Sequence, residues 1–409
     1  MAGSKGGRSL VFGCALVVAL ATSMGCSRGS ADPVPASEST SAPMAIVPVA
    51  VATADPEPEI DPGEPQAMSD AELGTLIEEL SEPTGDFPSD NFVSNETSYL
   101  HVASALMAEP LRGRAYVGVG PEQNYSYLAL MQPSISYIVD VRRQNMLQHL
   151  VLRAAAERAK GRSEFLERWT SRPSGCCGAE GAANASIEVL ANALARCERS
   201  DDVMNREVTR TLELIKRLGV TQQPGDEEAI RKIVEAFAKD GLDIAYSMKD
   251  SSRKYPTLRE ILVSEDDEGK QRSFLSDEES FSRVRSLLRA NRVVPVVGNF
   301  AGKQALRGVA ADMRKRGIVL GVLYASNVEQ YLFESGQYES FVSNVTTFPM
   351  DGSSSVVRVW FDQGRRHPKQ HEGHRTASLL MPIEPFLARN AARPFATYWH
   401  VTAFVADSR

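Results

Sequence analysis

Tyr116-Val117-Gly118-Val119-Gly120-Pro121-Glu122-Gln123-Asn124-Tyr125, continuing to Ser136-Tyr137-Ile138-Val139-Asp140, is the stretch that decides the fold. Ala115 to Val119 is a short apolar run that breaks into Gly120-Pro121, so it reads as a buried strand followed by a turn. Pro121 suits the first turn of a helix, where a missing N–H costs nothing. The helix spans about Glu122 to Met131, and Gln132-Pro133 stops it. Ser136 to Val139 is a second strand, with Asp140 at its tip. Two strands joined by a helix form a parallel pair, because only a long crossover returns the chain in the same direction.

In an open parallel sheet, ligands bind beyond the carboxyl ends of the strands. Gly118, Gly120, Glu122 and Asp140 fall there. The glycines let a ligand approach the backbone closely, and Asp140 follows Gly120 by about 20 positions, the spacing of an acid that accepts hydrogen bonds from ribose hydroxyls. The plainer reading is a tight turn, with Asp140 capping the next helix. The third glycine of the dinucleotide fingerprint is missing, since Gln123 occupies its place, and this weakens an NAD site.

Working outward, Arg142 to Trp169 reads as one long helix, and about 174–290 as a mostly helical insertion with apolar stripes such as Ile230, Ile233, Val234 and Phe237. Strands then return at Arg292 to Val297, Ile318 to Tyr324, Ser355 to Phe361 and Ala396 to Val405. Pro295 sits awkwardly in the first of these, because it cannot donate to a ladder. Gly298-Asn299 and Ser326-Asn327-Val328-Glu329 end two of the strands. The expectation is an α/β, Rossmann-like fold with a mostly parallel sheet, helices on both faces and a helical insertion between strands two and three. Upstream, Ser69 caps a helix from Asp70 to Leu80. Ser94 or Asn95 is a candidate cap for a second helix carrying Tyr99, Val102 and Leu106. The polar run Asp90 to Glu96 is either that helix's cap or a lip over a pocket.

Lys5 and Arg8, the apolar run Leu10 to Met24 and Gly25-Cys26 form a targeting segment over 1–26, with Cys26 as the expected lipidation site of an envelope lipoprotein. Plain secretion and an uncleaved anchor are the alternatives. Ser27 after the cysteine favours the outer membrane. Residues 27–67, rich in Pro, Ser and acids, read as a tether, and 68–409 as the folded domain. The formal charge of −7 over 409 residues argues against nucleic acid as a partner. The expected partners are the membrane, through its lipid anchor, and a small-molecule ligand.

Cys176, Cys177 and Cys197 allow one disulfide to Cys197 and leave an odd thiol. No metal site is assigned to the cysteines. His367, His371 and His374 share a polar stretch with Pro368 and Gly373, which reads as a solvated loop, although three histidines keep zinc or copper worth testing. Hydrolase and phosphotransferase motifs are absent from the sequence.

The glycine loop, Asp140, Asn299 and Ser326 to Glu329 together resemble class I S-adenosylmethionine-dependent methyltransferases, over about Ala115 to Phe361. That resemblance implies cofactor contacts from Gly118, Gly120, Glu122, Asp140 and Asn299. It implies substrate-facing residues after strand four, with Glu329 as acceptor base or orienter and Asn327 and Tyr324 as hydrogen-bonding partners. The plainer reading of Glu329 is a first-turn acid favourable to the helix dipole. Tyr116 replaces the acid that usually precedes the glycines. Segments 117–125, 295–302 and 326–332 more closely resemble an uncharacterised family of bacterial lipoproteins with a methyltransferase-like fold. The functional expectation is a methyltransferase for a small molecule or envelope component; the alternative is a non-catalytic binding or scaffold lipoprotein. An exported location sits badly with S-adenosylmethionine, a cytoplasmic metabolite.

Overall fold

In the computed structural model, the structure describes residues 67–178, 184–248 and 253–404. The targeting segment, Cys26 and most of the tether lie outside the described residues. The described residues all fall in one unit, Pro62–Arg409.

Among them a six-stranded sheet has β1 (Ala115–Gly118), β2 (Ile135–Asp140), β3 (Val293–Val297), β4 (Leu320–Ser326), β5 (Ser355–Phe361) and β6 (Thr376–Pro382). The strand order is β3-β2-β1-β4-β5-β6. The first five strands pair in parallel, and β6 runs antiparallel to β5. Every residue of β1, β2 and β3 is buried, which explains why they read as unbroken apolar runs. Pro295 is tolerated because β3 is an edge strand, where one face of the ladder has no partner to serve.

The structure corrects several sequence expectations. The C-terminal segment expected as a strand over Ala396 to Val405 is instead a helix, Tyr398–Thr402. The Thr397 side chain accepts the His400 N–H, and this cap outweighs the β-propensity of Tyr, Trp and Val. The sixth strand is Thr376–Pro382, whose unalternating Ala-Ser-Leu-Leu-Met run gives no period-2 signal. The long helix expected from Arg142 to Trp169 is two helices, Arg143–Arg158 and Arg162–Trp169. It breaks at Gly161, where an added Cβ would sit 2.9 Å from the Glu278 carboxylate, which accepts the Arg162 N–H at 3.1 Å.

Between β2 and β3 the chain is helical, including Asp201–Leu218, Asp226–Asp240 and Glu278–Arg289. The helix Asp70–Leu80 starts with a capping box between Ser69 and Glu72, worth about 1 kcal/mol. Gly74 lets it touch its neighbour, since a Cβ there would lie 1.7 Å from the Leu218 carbonyl oxygen. The helix expected after Ser94 is only a 3-10 turn, Tyr99–Val102, running into Ala103–Leu106, and no side chain caps it. Cys176 is disulfide-bonded to Cys197, and Cys177 is a buried free thiol. No helix among the described residues is long and apolar enough to cross a membrane.

Candidate functional site

The strand order reverses between β1 and β4, and the carboxyl ends of β1 to β4 open there into one cavity of about 770 Å³. That volume suits a small molecule the size of a nucleoside derivative. The loops after each strand contribute: Val119 to Pro121, Asp140 to Arg142, Gly298 to Phe300, and Ser326 to Val328. The segment Asp86 to Glu96 runs along the wall, so the polar run before the first strand does line a pocket.

The glycine loop is held from behind. Asn124 Nδ2 donates to the carbonyls of Val119 (2.9 Å), Gly120 (3.2 Å) and Pro121 (2.7 Å), and its Oδ1 accepts the Tyr116 hydroxyl at 2.8 Å. Gly118 is required for this clamp, because a Cβ there would lie 2.1 Å from Asn124 Oδ1 and 2.6 Å from the Tyr116 ring. The close approach is thus to the protein's own side chains. Gly120 takes φ of 81°, a left-handed conformation that only glycine adopts without strain, and it borders the cavity. His149 pairs with the Gly120 carbonyl at 3.0 Å, and burial holds this imidazole down at about 4, hence neutral.

Asp140 is where the sequence put it, at the tip of β2 and in the cavity wall, but its carboxylate is engaged. Arg142 binds it through Nε (3.0 Å) and Nη2 (2.9 Å), and the Arg142 N–H adds a third bond at 3.0 Å. The same guanidinium donates to the Asp90 carbonyl at 2.5 Å and lies 5.5 Å over the Phe87 ring. It therefore ties the Asp86–Glu96 segment to β2. Asn299 also borders the cavity; its N–H donates to Glu82 and its Oδ1 caps the turn at Ala301. Gly298 packs on Ala305, with no room for a side chain.

Three expected residues are not in the cavity wall: Gly118, whose space is taken by Asn124 and Tyr116, Glu122 and Glu329. Glu122 is buried under the loop, accepts the Ser94 N–H at 3.3 Å and leaves Oε2 without a partner; burial pushes its carboxyl up to about 8. Glu329 is wholly buried and bound to Arg358 at 2.5 Å, with that guanidinium 4.2 Å over the Phe386 ring. Such a carboxylate fastens the helix Val328–Glu334 to β5 and is closed to any acceptor in the cavity. Tyr324 and Asn327 do line the cavity.

Among the acids of the cavity wall, the one held at the end of β4 is Glu96, which the sequence places in a polar cap or lip. Its carboxylate accepts the Tyr324 hydroxyl at 2.8 Å and the Ser326 hydroxyl, both at the end of β4. Burial raises it to about 7, and the Ser326 and Tyr324 hydrogen bonds offset only part of that. A β-bulge between Tyr324 and Ser326, with Ser326 at φ of 50°, turns both hydroxyls towards it. A carboxyl poised near neutrality can take or give a proton at physiological pH. Around it, Phe87, Tyr246, Tyr255 and Tyr331 offer aromatic faces. The signal available in sequence was the Ser-Asn-Glu cluster, but nothing in a linear reading joins position 96 to position 326.

A family model for a domain of unknown function, DUF7790, matches residues 91–404, and the chain belongs to that family. The match takes in Glu96, the glycine loop and the ends of β2, β3 and β4. No curated protein matches the chain.

Proposed function

We propose that the domain binds a nucleoside-bearing small molecule in the cavity over β1 to β4, with S-adenosylmethionine as the first candidate, and transfers its methyl group to a small acceptor. The observation that carries this reading is one cavity, at the reversal of strand order in a Rossmann-like sheet, with a near-neutral carboxyl in its wall. Glu96 takes the place expected for Glu329 as base or orienter of the acceptor, with Tyr324 and Ser326 positioning it. Methyl transfer from a sulfonium asks chiefly for alignment, and a rigid cavity supplies that. The aromatic side chains would sandwich a base, and Gly120 and Asn299 border the same space. The lipid anchor at Cys26 and an outer-membrane location belong to this proposal too.

A second reading, a binding lipoprotein without turnover, is favoured by one observation: Arg142 already occupies the Asp140 carboxylate, so the ribose hydroxyls have a weaker partner there. The test is thermal unfolding of the full chain with S-adenosylmethionine, its demethylated product, NAD and adenosine. A ligand at about 100 times its dissociation constant stabilises by about 2.7 kcal/mol. Stabilisation by the first two supports the cofactor. Stabilisation by adenosine alone supports the binding reading, and no shift at all removes the nucleoside site. Membrane partition of the Cys26→Ser variant checks the anchor separately.

A further inference from the structure

Histidines from two distant segments meet on the protein surface, beside a carboxylate from a third. His101 lies in the 3-10 turn Tyr99–Val102, Asp267 in the turn closed by the Glu265–Gln271 bridge, and His371 in the connection between β5 and β6. One ligand atom from each lies within 4.8 Å of the others. The His101 and His371 rings stack at 4.1 Å between centroids, and His371 Nδ1 is 3.5 Å from Asp267 Oδ1. A third ring, His374, stands 4.6 Å from His101. His101 Nδ1 is buried and has no hydrogen-bond partner, an unpaired polar atom that needs a reason.

We propose that His101, Asp267 and His371 hold a divalent transition-metal ion of the zinc class, with His374 completing the set. Imidazole nitrogens with one carboxylate oxygen are the donors such ions prefer over calcium or magnesium. Bonds of about 2.0–2.1 Å in a tetrahedron place ligand atoms about 3.3 Å apart, so the three must close in from 4.8 Å. Asp267 and His371 are each about half exposed on loops and have room to do so. His374 Nδ1 pairs with the Thr97 hydroxyl at 3.0 Å, which leaves its Nε2 for the ion and supports the ring from outside. The neighbouring Asp266 is committed elsewhere, to the N–H groups of Glu268 and Lys270 and to Arg272, and so fixes the turn that presents Asp267.

The histidine-rich stretch itself does not make the site. His367 is turned inwards, with one ring nitrogen on the Thr402 carbonyl and the other accepting the Lys369 N–H. The missing ligand comes from His101, some 270 positions away in sequence (371 − 101). Because Thr97 follows Glu96 directly, a bound ion would pin the segment that carries Glu96 to the β5–β6 connection. The site itself depends on no assumption about the cavity's ligand.

The experiment is calorimetric titration of Zn2+ into the full chain, free of any histidine tag and stripped with chelator. One equivalent is expected to bind and to raise the melting temperature. Outer-shell substitutions cost metal affinity about 10–100-fold, so His371→Ala and Asp267→Asn, which remove ligands, are expected to cost more. Both residues are exposed, and unchanged circular dichroism would show that the variants fold. His400→Ala, at an exposed position outside the cluster, is expected to bind like the wild type. No saturable binding of one equivalent, or equal binding by His371→Ala and the wild type, would overturn the site.

Discussion

Replacing Glu96 by Gln changes how the protein's stability depends on pH, and by an amount that can be worked out. Burial lifts the Glu96 carboxyl from 4.5 to about 7 in the folded chain. The folded state therefore prefers the protonated form more strongly than the unfolded chain does. The stability this contributes is complete below 4.5 and is lost as pH rises to and through about 7. Each tenfold difference in acidity is worth about 1.4 kcal/mol, so the loss between pH 4 and pH 9 is about 3 kcal/mol. Gln is neutral throughout, keeps the shape, and can still meet both hydroxyls, its oxygen accepting from one and its NH2 donating to the other. Glu122 has the same sign, being raised to about 8, but it remains in both proteins and cancels in the comparison. Urea unfolding of wild type and Glu96→Gln across pH 4 to 9, at fixed ionic strength, measures the difference. The wild type is expected to lose about 3 kcal/mol more than the variant over that range. Two parallel pH profiles would refute the burial and hydrogen bonding assigned to Glu96, and with them its suitability as a proton-transfer group.

Glu329→Gln is expected to destabilise by about 3 kcal/mol, because it leaves the Arg358 charge buried without its partner, while ligand affinity stays unchanged; calorimetry on folded variant protein checks both. Gly118→Ala drives a methyl group into Asn124 and Tyr116 and is expected to cost about 1–3 kcal/mol in a denaturant melt, with the loop carbonyls released from their clamp. Reducing the Cys176–Cys197 bridge opens a loop of sequence separation 21 and is expected to cost about 3 kcal/mol. Cys177 should resist alkylation until the chain unfolds, since burial and Glu167 push its thiol up to about 12.

Local chemistry carried most of what could be read without the structure. The N-cap at Ser69, the glycine turn and the apolar runs of β1 to β5 declare themselves within a few residues of where the structure has them. Much of what the sequence hides depends on partners far away in the chain, although the local Thr397 cap that makes the C-terminal segment helical is not one of these. β6 has no alternation because it packs on β5 with both faces largely covered, so period gave no warning. Glu329 reads as a first-turn acid near a pocket until the register of β5 brings Arg358 against it. Glu96 precedes the whole sheet in sequence and reaches the end of β4 only after the chain has crossed the cavity. The histidine stretch reads as a solvated loop with a metal on its three residues only worth testing, whereas the folded chain turns His367 away and sets His371 beside His101 and Asp267. Asp140 stands at the tip of β2 where its spacing puts it, while its pairing with Arg142, two positions on, shows only in the structure.

The central claim is that the cavity over β1 to β4 takes a nucleoside-bearing ligand. Val328, in the first turn of the helix after β4, borders that cavity and is only partly buried, so the larger ring of Val328→Trp would intrude into it. Calorimetric titration of S-adenosylmethionine and its demethylated product into wild type and Val328→Trp is the most direct test. Saturable one-to-one binding to the wild type and clearly weaker binding to the folded variant are expected. Absence of binding to the wild type, or equal affinity in the two proteins, would contradict that claim.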